Sequence, residues 1–521
     1  MKKNIYKWAC MLLMSATVLP SCDKGFEELN TDPINIVSTT ADKLLAPALI
    51  GTMTSNMIRN RNFNNELMQV TVSISDGDAT VFRYEYRRTI ADYLWNSWYI
   101  YLTDFKDVYT LSSDPAHLNK SYQGISLICQ TWVYSLLTDT YGDIPYSQAN
   151  RGKEGIVEPA FDKQKDIYLD FFKKLEEANT LLTTGTAITK SSDPVYQGDV
   201  AKWRKFGNSL YLRLLLRVSG KAEVSADAIA KIKQIVGNPT QYPIMSDNSD
   251  TANILWNGTI NTADPFTSPY VAGVRSQDFR APALGSFFID HLRDWQDPRI
   301  MTTAPYGVGG TNPWAIAQGS NGYSGVPSGY EVGAGFTKES YFYSNDATGS
   351  STPRNAVSLQ QNPKTGILMN YAEVQFILAE AAIKGWISGS AETYYNKGIA
   401  NSINYWVPQF STDITSAQFT SYVTLADIDW NNAGTLNDKM EQIHLQKYYA
   451  LFLVDMQQWF EYRRTGHPIL PKGKGLRNGG VMPARMTYPV YVESANPTNY
   501  KIAVANQGPD EIYTQVWWQK P

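Results

Sequence analysis

Residues 122–138 are apolar on almost every face. A helix of that kind is buried, so the rest of the chain has to enclose it. It stops at Tyr141-Gly142-Asp143-Ile144-Pro145-Tyr146, where glycine and proline end helices. Helical patterns stand on either side. Thr40 is placed to N-cap a helix through Leu44, Leu45 and Leu49. Residues 92–111 carry aromatics on several faces, Tyr93, Trp95, Trp98, Tyr99 and Phe105 among them. Residues 161–182 and 203–218 repeat with the helical period, and residues 226–236 form a shorter pattern. Residues 237–365 differ. Gly, Pro, Ser, Asn and Tyr dominate there, and periodicity is lost except near residues 282–295. Long ordered loops inside a compact body are usually functional.

Helices return at Tyr371. Tyr371, Val374, Leu378, Ala381 and Gly385 fall on one stripe. With the next segment they give Ala382, Gly385, Ala391, Tyr395 and Gly398, small residues and tyrosines at the spacing of a tetratricopeptide helix pair. The small residues let two helices approach while tyrosine fills the groove between them. Residues 203–218 with 226–236 suggest another pair. A final long helix is expected over residues 436–464.

The amino terminus reads as an address rather than as structure. Lys2, Lys3 and Lys7 precede an apolar stretch of residues 8–19, which ends at Leu19-Pro20-Ser21-Cys22. A basic start, a short apolar run and a small residue before the cut describe a secretory signal. Cys22 at the cut makes it a bacterial lipoprotein signal, with Pro20 where such motifs usually carry Ala, Ser or Thr. Its thiol would carry a diacylglycerol and its amine a third chain. At about 0.8 kcal/mol per buried CH₂, three chains hold a protein on a bilayer almost permanently. The expected organisation is a signal peptide over residues 1–21, a lipidated tether over 22–40 and one α-helical domain over 41–521. No later stretch has the length and apolarity to span a membrane.

Composition excludes some partners. The signal holds three of the 46 lysines and arginines and none of the 49 acids, so its removal takes the formal net charge from −3 to −6. That is no footprint for nucleic acid. Of three cysteines, Cys10 leaves with the signal, Cys22 takes lipid and Cys129 sits in an apolar run. No disulfide within the mature chain is expected, so packing alone must hold it. Aromatic residues are 13% of the chain, with 14 Trp and 33 Tyr. Their flat faces and polar edges suit surfaces that hold sugars or peptides, though most must fill the core.

Catalytic patterns are absent. His117, His291, His444 and His467 have no metal-ligand spacing, and neither an H-E-x-x-H nor a paired C-x-x-C occurs, so no metal or other cofactor is expected. There is no G-x-S-x-G elbow. Gly473-Lys474-Gly475 near Gly479 lacks the ending of a phosphate loop and reads as a turn. Glu373 with Glu380, and Asp104 with Asp107, are the carboxylate pairs a glycosidase would need, but helical acids more often pair with arginine.

Many motifs in one order resemble the SusD/RagB family, in particular its SusD-like, starch-binding-associated outer-membrane lipoproteins. The strongest runs from Met369-Asn370-Tyr371-Ala372-Glu373 through Ala379-Glu380-Ala381-Ala382 to Gly385-Trp386. Others are Tyr141-Gly142-Asp143-Ile144-Pro145-Tyr146, Gly207-Asn208-Ser209-Leu210 before Arg213, Asp297-Pro298-Arg299, and Trp459-Phe460-Glu461-Tyr462-Arg463-Arg464-Thr465-Gly466. Arg485, Tyr488-Pro489, Glu493, Asn496 and Trp517-Trp518 complete the set. The resemblance implies a mainly α fold, a superhelix of four tetratricopeptide-like helix pairs with long irregular loops packed on it. It implies a non-catalytic lipoprotein on the cell surface, anchored in the outer membrane through Cys22, that captures oligosaccharide. An oligopeptide is the other ligand class it allows. It implies a partner, a SusC-like TonB-dependent transporter, over which the protein sits as a lid. Glu373, Glu380, Trp459 and Arg463 lie inside helical patterns and read as structural.

The ligand site does not transfer by motif. Trp314, Tyr323 and Tyr330 in the glycine-rich region are the leading candidates, with Trp256, Tyr270 and Tyr306 beside them. Arg83, Tyr84 and Tyr86 belong to an early loop that is expected nearby. The competing readings are a surface glycoside hydrolase and a structural adaptor of the transporter without a ligand of its own.

Overall fold

Helix α1 (Ala41–Arg59) opens the computed structural model, which describes residues 39–520 apart from 76, 78, 79 and 347–356. The expected signal peptide, the expected lipidation at Cys22 and nearly all of the expected tether fall outside the described residues. Leu45, Leu49, Met53 and Met57 recur every fourth residue on the buried stripe of α1. The helix runs on through a π-helical turn, Asn60–Asn64, and a short helix, Asn65–Leu67. Helix α2 (Ile90–Ser113) buries Leu94, Trp95, Trp98, Leu102 and Phe105. Helix α3 (Lys120–Tyr141) is the all-round apolar segment, and it is buried from Ser121 to Tyr141. The Asn119 side chain caps it by accepting from the Ser121 and Tyr122 amides, and Gly142, at φ 86°, ends it. Helices α4 (Gln164–Thr183), α5 (Val200–Val218) and α6 (Ala222–Gly237) follow.

Each helix from α1 to α6 packs on the next, and α3 also meets α1 and α5. The enclosure demanded by its sequence is therefore built from both directions along the chain. After the loop-rich region and its helix α7 (Ser286–Asp294) come α8 (Tyr371–Ile383), α9 (Ala391–Trp406) and α10 (Ala417–Leu425). Helices α11 (Leu436–Ala450), α12 (Gln457–Thr465) and α13 (Pro497–Gln507) complete the body. Helix α8 packs on α9, α11 and α5, and so joins the two helical groups. At Gly398 of α9 a Cβ would stand 2.6 Å from the Phe376 ring of α8, while Tyr395 is fully buried beside them. This is the close approach that the small-residue spacing anticipates.

Strands are short and pair two by two, all antiparallel. They tie the loop region to the helices. Thr71–Val72, just after α1, pairs with Ala283–Leu284 before α7. Ala252–Ile254 pairs with Gly366–Met369, which brings the two ends of the loop-rich region together beside α8. The described chain from residue 41 onward forms one compact body, mainly α as expected. No helix among the described residues is long and apolar enough to cross a membrane.

Buried ion pairs cross between helices. Arg213 of α5 meets Glu373 of α8 at 2.7 and 2.6 Å, and Arg464 of α12 meets Glu380 of α8 at 2.8 and 2.6 Å. Arg217 of α5 reaches Asp139 of α3 at 3.0 Å. Charges this deep require paired, hydrogen-bonded geometry, so each pair fixes how its two helices sit.

Two expectations change. The single helix over residues 436–464 is two, α11 and α12, parted by a turn in which Leu453 (φ 70°) and Asp455 (φ 32°) leave helical geometry. Asparagines of α1's extension hold the turn and the start of α12. Asn60 donates to the Asp455 carbonyl at 2.6 Å, Asn64 donates to Gln458 at 2.7 Å, and the Trp459 amide donates to Asn64 at 3.2 Å. Gly385 does not continue the α8 stripe. It sits at φ 70° in the turn after the helix, with its amide on the Ala382 carbonyl. Helices α10 and α13 carry no pattern that the sequence reading used.

Candidate functional site

An open groove of about 610 Å³ lies along α2. Its floor is the face of α2 that presents Trp95, Asn96, Tyr99, Ile100 and Thr103. Trp95 is buried at the centre of an aromatic cluster, with Tyr99 at 5.1 Å, Tyr141 at 5.0 Å and Tyr488 at 5.9 Å between ring centroids. The ring below the groove is thus held from three sides. Ile100 is 61% exposed beside it.

One wall is the segment after α3. Gly142 turns the chain where a Cβ would collide with Gln507, whose side chain takes the Asp143 amide at 2.6 Å and donates to the Tyr141 carbonyl at 3.0 Å. Ile144–Pro145 then pairs with Phe161–Asp162. The Tyr99 hydroxyl donates to the Pro145 carbonyl at 2.7 Å. Asn150, at φ 62°, donates to the Tyr99 carbonyl at 2.7 Å and to Thr103 Oγ1 at 2.6 Å. The Lys106 ammonium reaches the Ala149 carbonyl at 2.7 Å. Burial pushes that ammonium down to about 8, helped by the like charges of Lys174 and Arg151. The opposite wall is Tyr491, Val492, Ala495 and Asn496. Asn496 donates to the Pro159 carbonyl at 2.7 Å, and the Tyr491 hydroxyl donates to Asn96 Oδ1. These bonds fix both walls to the floor.

Among the described residues no charged side chain lines the groove. It offers the ring of Tyr491, 44% exposed, the partly exposed rings of Tyr99 and Phe161, and the apolar edges Ile100 and Val157. The Asn96 amide nitrogen and Asn150 Oδ1 make no hydrogen bond among the described residues, so one donor and one acceptor stand beside the rings. Flat apolar faces with a few directional polar groups suit a neutral ligand that carries C–H faces and hydroxyls together.

The residues singled out in the sequence lie elsewhere. Trp314 is fully buried, with Phe452 at 4.8 Å and the Arg299 guanidinium at 4.7 Å over its ring. Tyr323 is buried with its hydroxyl on the Ile300 carbonyl, and Tyr330 with its hydroxyl on the Ser73 carbonyl at 2.9 Å. Trp256, Tyr270, Arg83 and Tyr84 are buried as well. Tyr306 and Tyr86 are partly covered, their hydroxyls on the Trp295 and Arg485 carbonyls. The buried rings among them have no face for a ligand and anchor their loops, while Tyr306 and Tyr86 keep part of theirs open. A chain poor in aliphatics fastens its loops with large rings, each burying 150–250 Å² or so. Arg83 and Tyr330 do meet, with Arg83 Nε on the Tyr330 carbonyl at 2.9 Å. The Gly473-Lys474-Gly475 turn packs there too, and the Gly475 amide donates to the Gly329 carbonyl at 2.8 Å.

The groove's own residues were missed. Their signal was present in α2: Tyr99 and Ile100 lie off the buried stripe, where a helix with one core face needs no large apolar side chain. Nothing in the sequence shows that Tyr491 stands across from them.

Glu373 and Glu380 are not poised for hydrolysis. Glu373 and Glu380 are each held by two hydrogen bonds from an arginine. Burial alone would raise Glu380, but the Arg464 guanidinium pulls it well below the usual carboxylate range. Asp104 is raised, by burial and then by Asp107. Glu380, His444 and Glu461 bring ligand atoms within 4.8 Å of one another. Arg464 bridges both glutamates, Lys447 holds Glu461 at 2.7 Å and Lys384 holds Glu380 at 2.6 Å. With cations already on both carboxylates, the cluster is a buried ion-pair network rather than a metal site.

The comparisons with known proteins agree with this architecture. A SusD-like family model, described as starch-binding associating with outer membrane, matches residues 33–489. No curated protein matches the chain in sequence. A solved structure described as a chitin-binding protein is 25% identical, over 92% of this chain and 100% of its own, with a TM-score of 0.69. A SusD homologue of Bacteroides fragilis is 24% identical over 93% of this chain and 100% of its own, with a TM-score of 0.71. A chitin-binding SusD homologue of Flavobacterium johnsoniae is 20% identical over 92% of this chain and 98% of its own, with a TM-score of 0.73.

Proposed function

This chain belongs to the SusD-like family, and we propose that it binds oligosaccharide at the cell surface and passes it to a SusC-like TonB-dependent transporter without cutting it. The groove on α2 is the capture site. The observation that carries this reading is the groove's composition: exposed and partly exposed aromatic rings beside free amide groups, with no charged side chain in its lining among the described residues. A sugar ring stacked on Tyr491 and Tyr99 shields its C–H face from water, while the Asn96 amide donates to one hydroxyl and Asn150 Oδ1 accepts from another. A peptide is less well served, because no charged group meets its termini. Glu373 and Glu380 are each taken by an arginine, which supports binding without hydrolysis at that pair. The lipoprotein signal supports an anchor at Cys22 in the outer membrane, and the family resemblance supports the transporter as partner.

The test is calorimetric titration with maltoheptaose and with chitohexaose, the sugars that the family description and the solved relatives suggest. Tyr491→Ala, together with Asn96→Ala, is expected to weaken the bound sugar about tenfold or more while the melting temperature stays within a few degrees. Equal affinity in wild type and the double variant removes the groove from the site. Shortened products in the same mixtures would instead establish a hydrolase.

A further inference from the structure

We infer that a second cleft, beside Trp517, is a subsite for an acidic sugar residue. It is separate from the α2 groove and has a volume of about 340 Å³. Its walls are the start of α4, the turn at Asp143, the end of α13 and the carboxyl-terminal segment.

The Trp517 ring is partly exposed and held in place. Its Nε1–H donates to Glu223, Tyr168 packs on it at 6.1 Å, and the Lys221 ammonium lies 5.8 Å from its centroid. A ring fixed before a ligand arrives loses little freedom when one stacks on it.

Charge separates this cleft from the first. Lys163, Lys165 and Lys520 line it against Asp143 and Glu223, an excess of one positive charge in a chain of formal net charge −3. Glu223 is taken by Lys165 at 2.6 Å, and Asp143 by the Gln164 amide at 2.9 Å. Lys520 gives one proton to the Gln507 carbonyl at 2.6 Å and keeps two to donate. Lys163 is exposed and makes no ion pair or side-chain hydrogen bond among the described residues. Lys165 and Glu223 therefore cancel, and the open ammonium groups are those of Lys163 and Lys520, set against the single carboxylate of Asp143. Gln164 lines the cleft too, and its buried Oε1 has no hydrogen-bond partner among the described residues. A fixed indole beside the open ammonium groups of Lys163 and Lys520 matches a sugar ring that carries both a carboxylate and an apolar face, as a uronate does.

The test titrates the full-length protein with trigalacturonate and follows tryptophan fluorescence. Saturable binding is expected. Lys163→Glu and Trp517→Ala are each expected to weaken it about tenfold. Lys163 is on the surface, so that variant should fold even if the tryptophan variant does not. Raising the salt from about 20 to about 500 mM should also weaken binding several-fold. Three results would overturn the inference: no saturable binding, unchanged affinity in the Lys163→Glu variant, or displacement by an equal concentration of inorganic phosphate, which would leave a simple anion site. Saturating the protein with a neutral oligosaccharide should leave trigalacturonate affinity unchanged, and competition between the two would make them one site. Acidic-sugar binding without any neutral-sugar binding would reject the α2 groove and leave this subsite standing.

Discussion

Glu380 is a carboxylate that the sequence offered as half of a possible catalytic pair, and its neighbours decide its role. Arg464 grips both of its oxygens, and Lys384 and Glu461 extend the network across α8, α11 and α12. Glu380→Gln removes one of the two carboxylates that meet the buried Arg464 guanidinium, and leaves Glu461 as the other. Breaking such a pair costs about 3–5 kcal/mol. The sign with pH follows from the depressed folded-state pKa. The stabilisation is present above the ordinary carboxylate value near 4.5 and is lost as pH falls through the lower folded value. Urea unfolding at neutral pH should therefore show a large gap between wild type and variant, and unfolding well below pH 4.5 a much smaller one. A gap of equal size at both would mean that the ionised pair is not what stabilises this corner. At this scale the sequence supports a preference rather than a fact, because a helical glutamate finds its arginine across 84 residues of chain.

Helix positions were the most legible part of the fold. The buried segment around Trp132, the paired helices α8 and α9 and the irregular region between α6 and α8 all follow from period and composition. Gly398 tests the closest of these contacts. Gly398→Ala puts a methyl group against the Phe376 ring, where a Cβ would stand at 2.6 Å. Overpacking of this kind costs about 1–3 kcal/mol, and thermal unfolding should show a lower midpoint. A stability equal to wild type would mean that α8 and α9 separate easily. The break between α11 and α12 was not legible because its cause lies in another element, the asparagines of α1's extension. The loop aromatics misled for a related reason. Composition marks residues 237–365 as loop but carries no sign of whether Trp314 faces water or Phe452.

At the scale of the described residues as a whole, the thirteen helices α1–α13 serve as a frame for the two clefts, one neutral and aromatic, the other charged around a single indole. The proposed anchor gives that frame its place. Cys22→Ala should release the mature protein from the outer membrane, and a variant that still sediments with membranes after a salt wash would mean that something other than lipid holds it. Family membership and helical architecture could be read from motifs spread along the chain. The site could not, because its floor on α2 and its wall at Tyr491 are brought together only by the packing of the carboxyl-terminal segment on the first helices. The most direct test of capture without cutting is one titration of the purified protein with a neutral oligosaccharide, followed by analysis of the sugar recovered from the cell. The account predicts saturable binding, lost on Tyr491→Ala, and recovery of the oligosaccharide at its original length. Binding indifferent to that substitution, or recovery of shorter sugars, would contradict it.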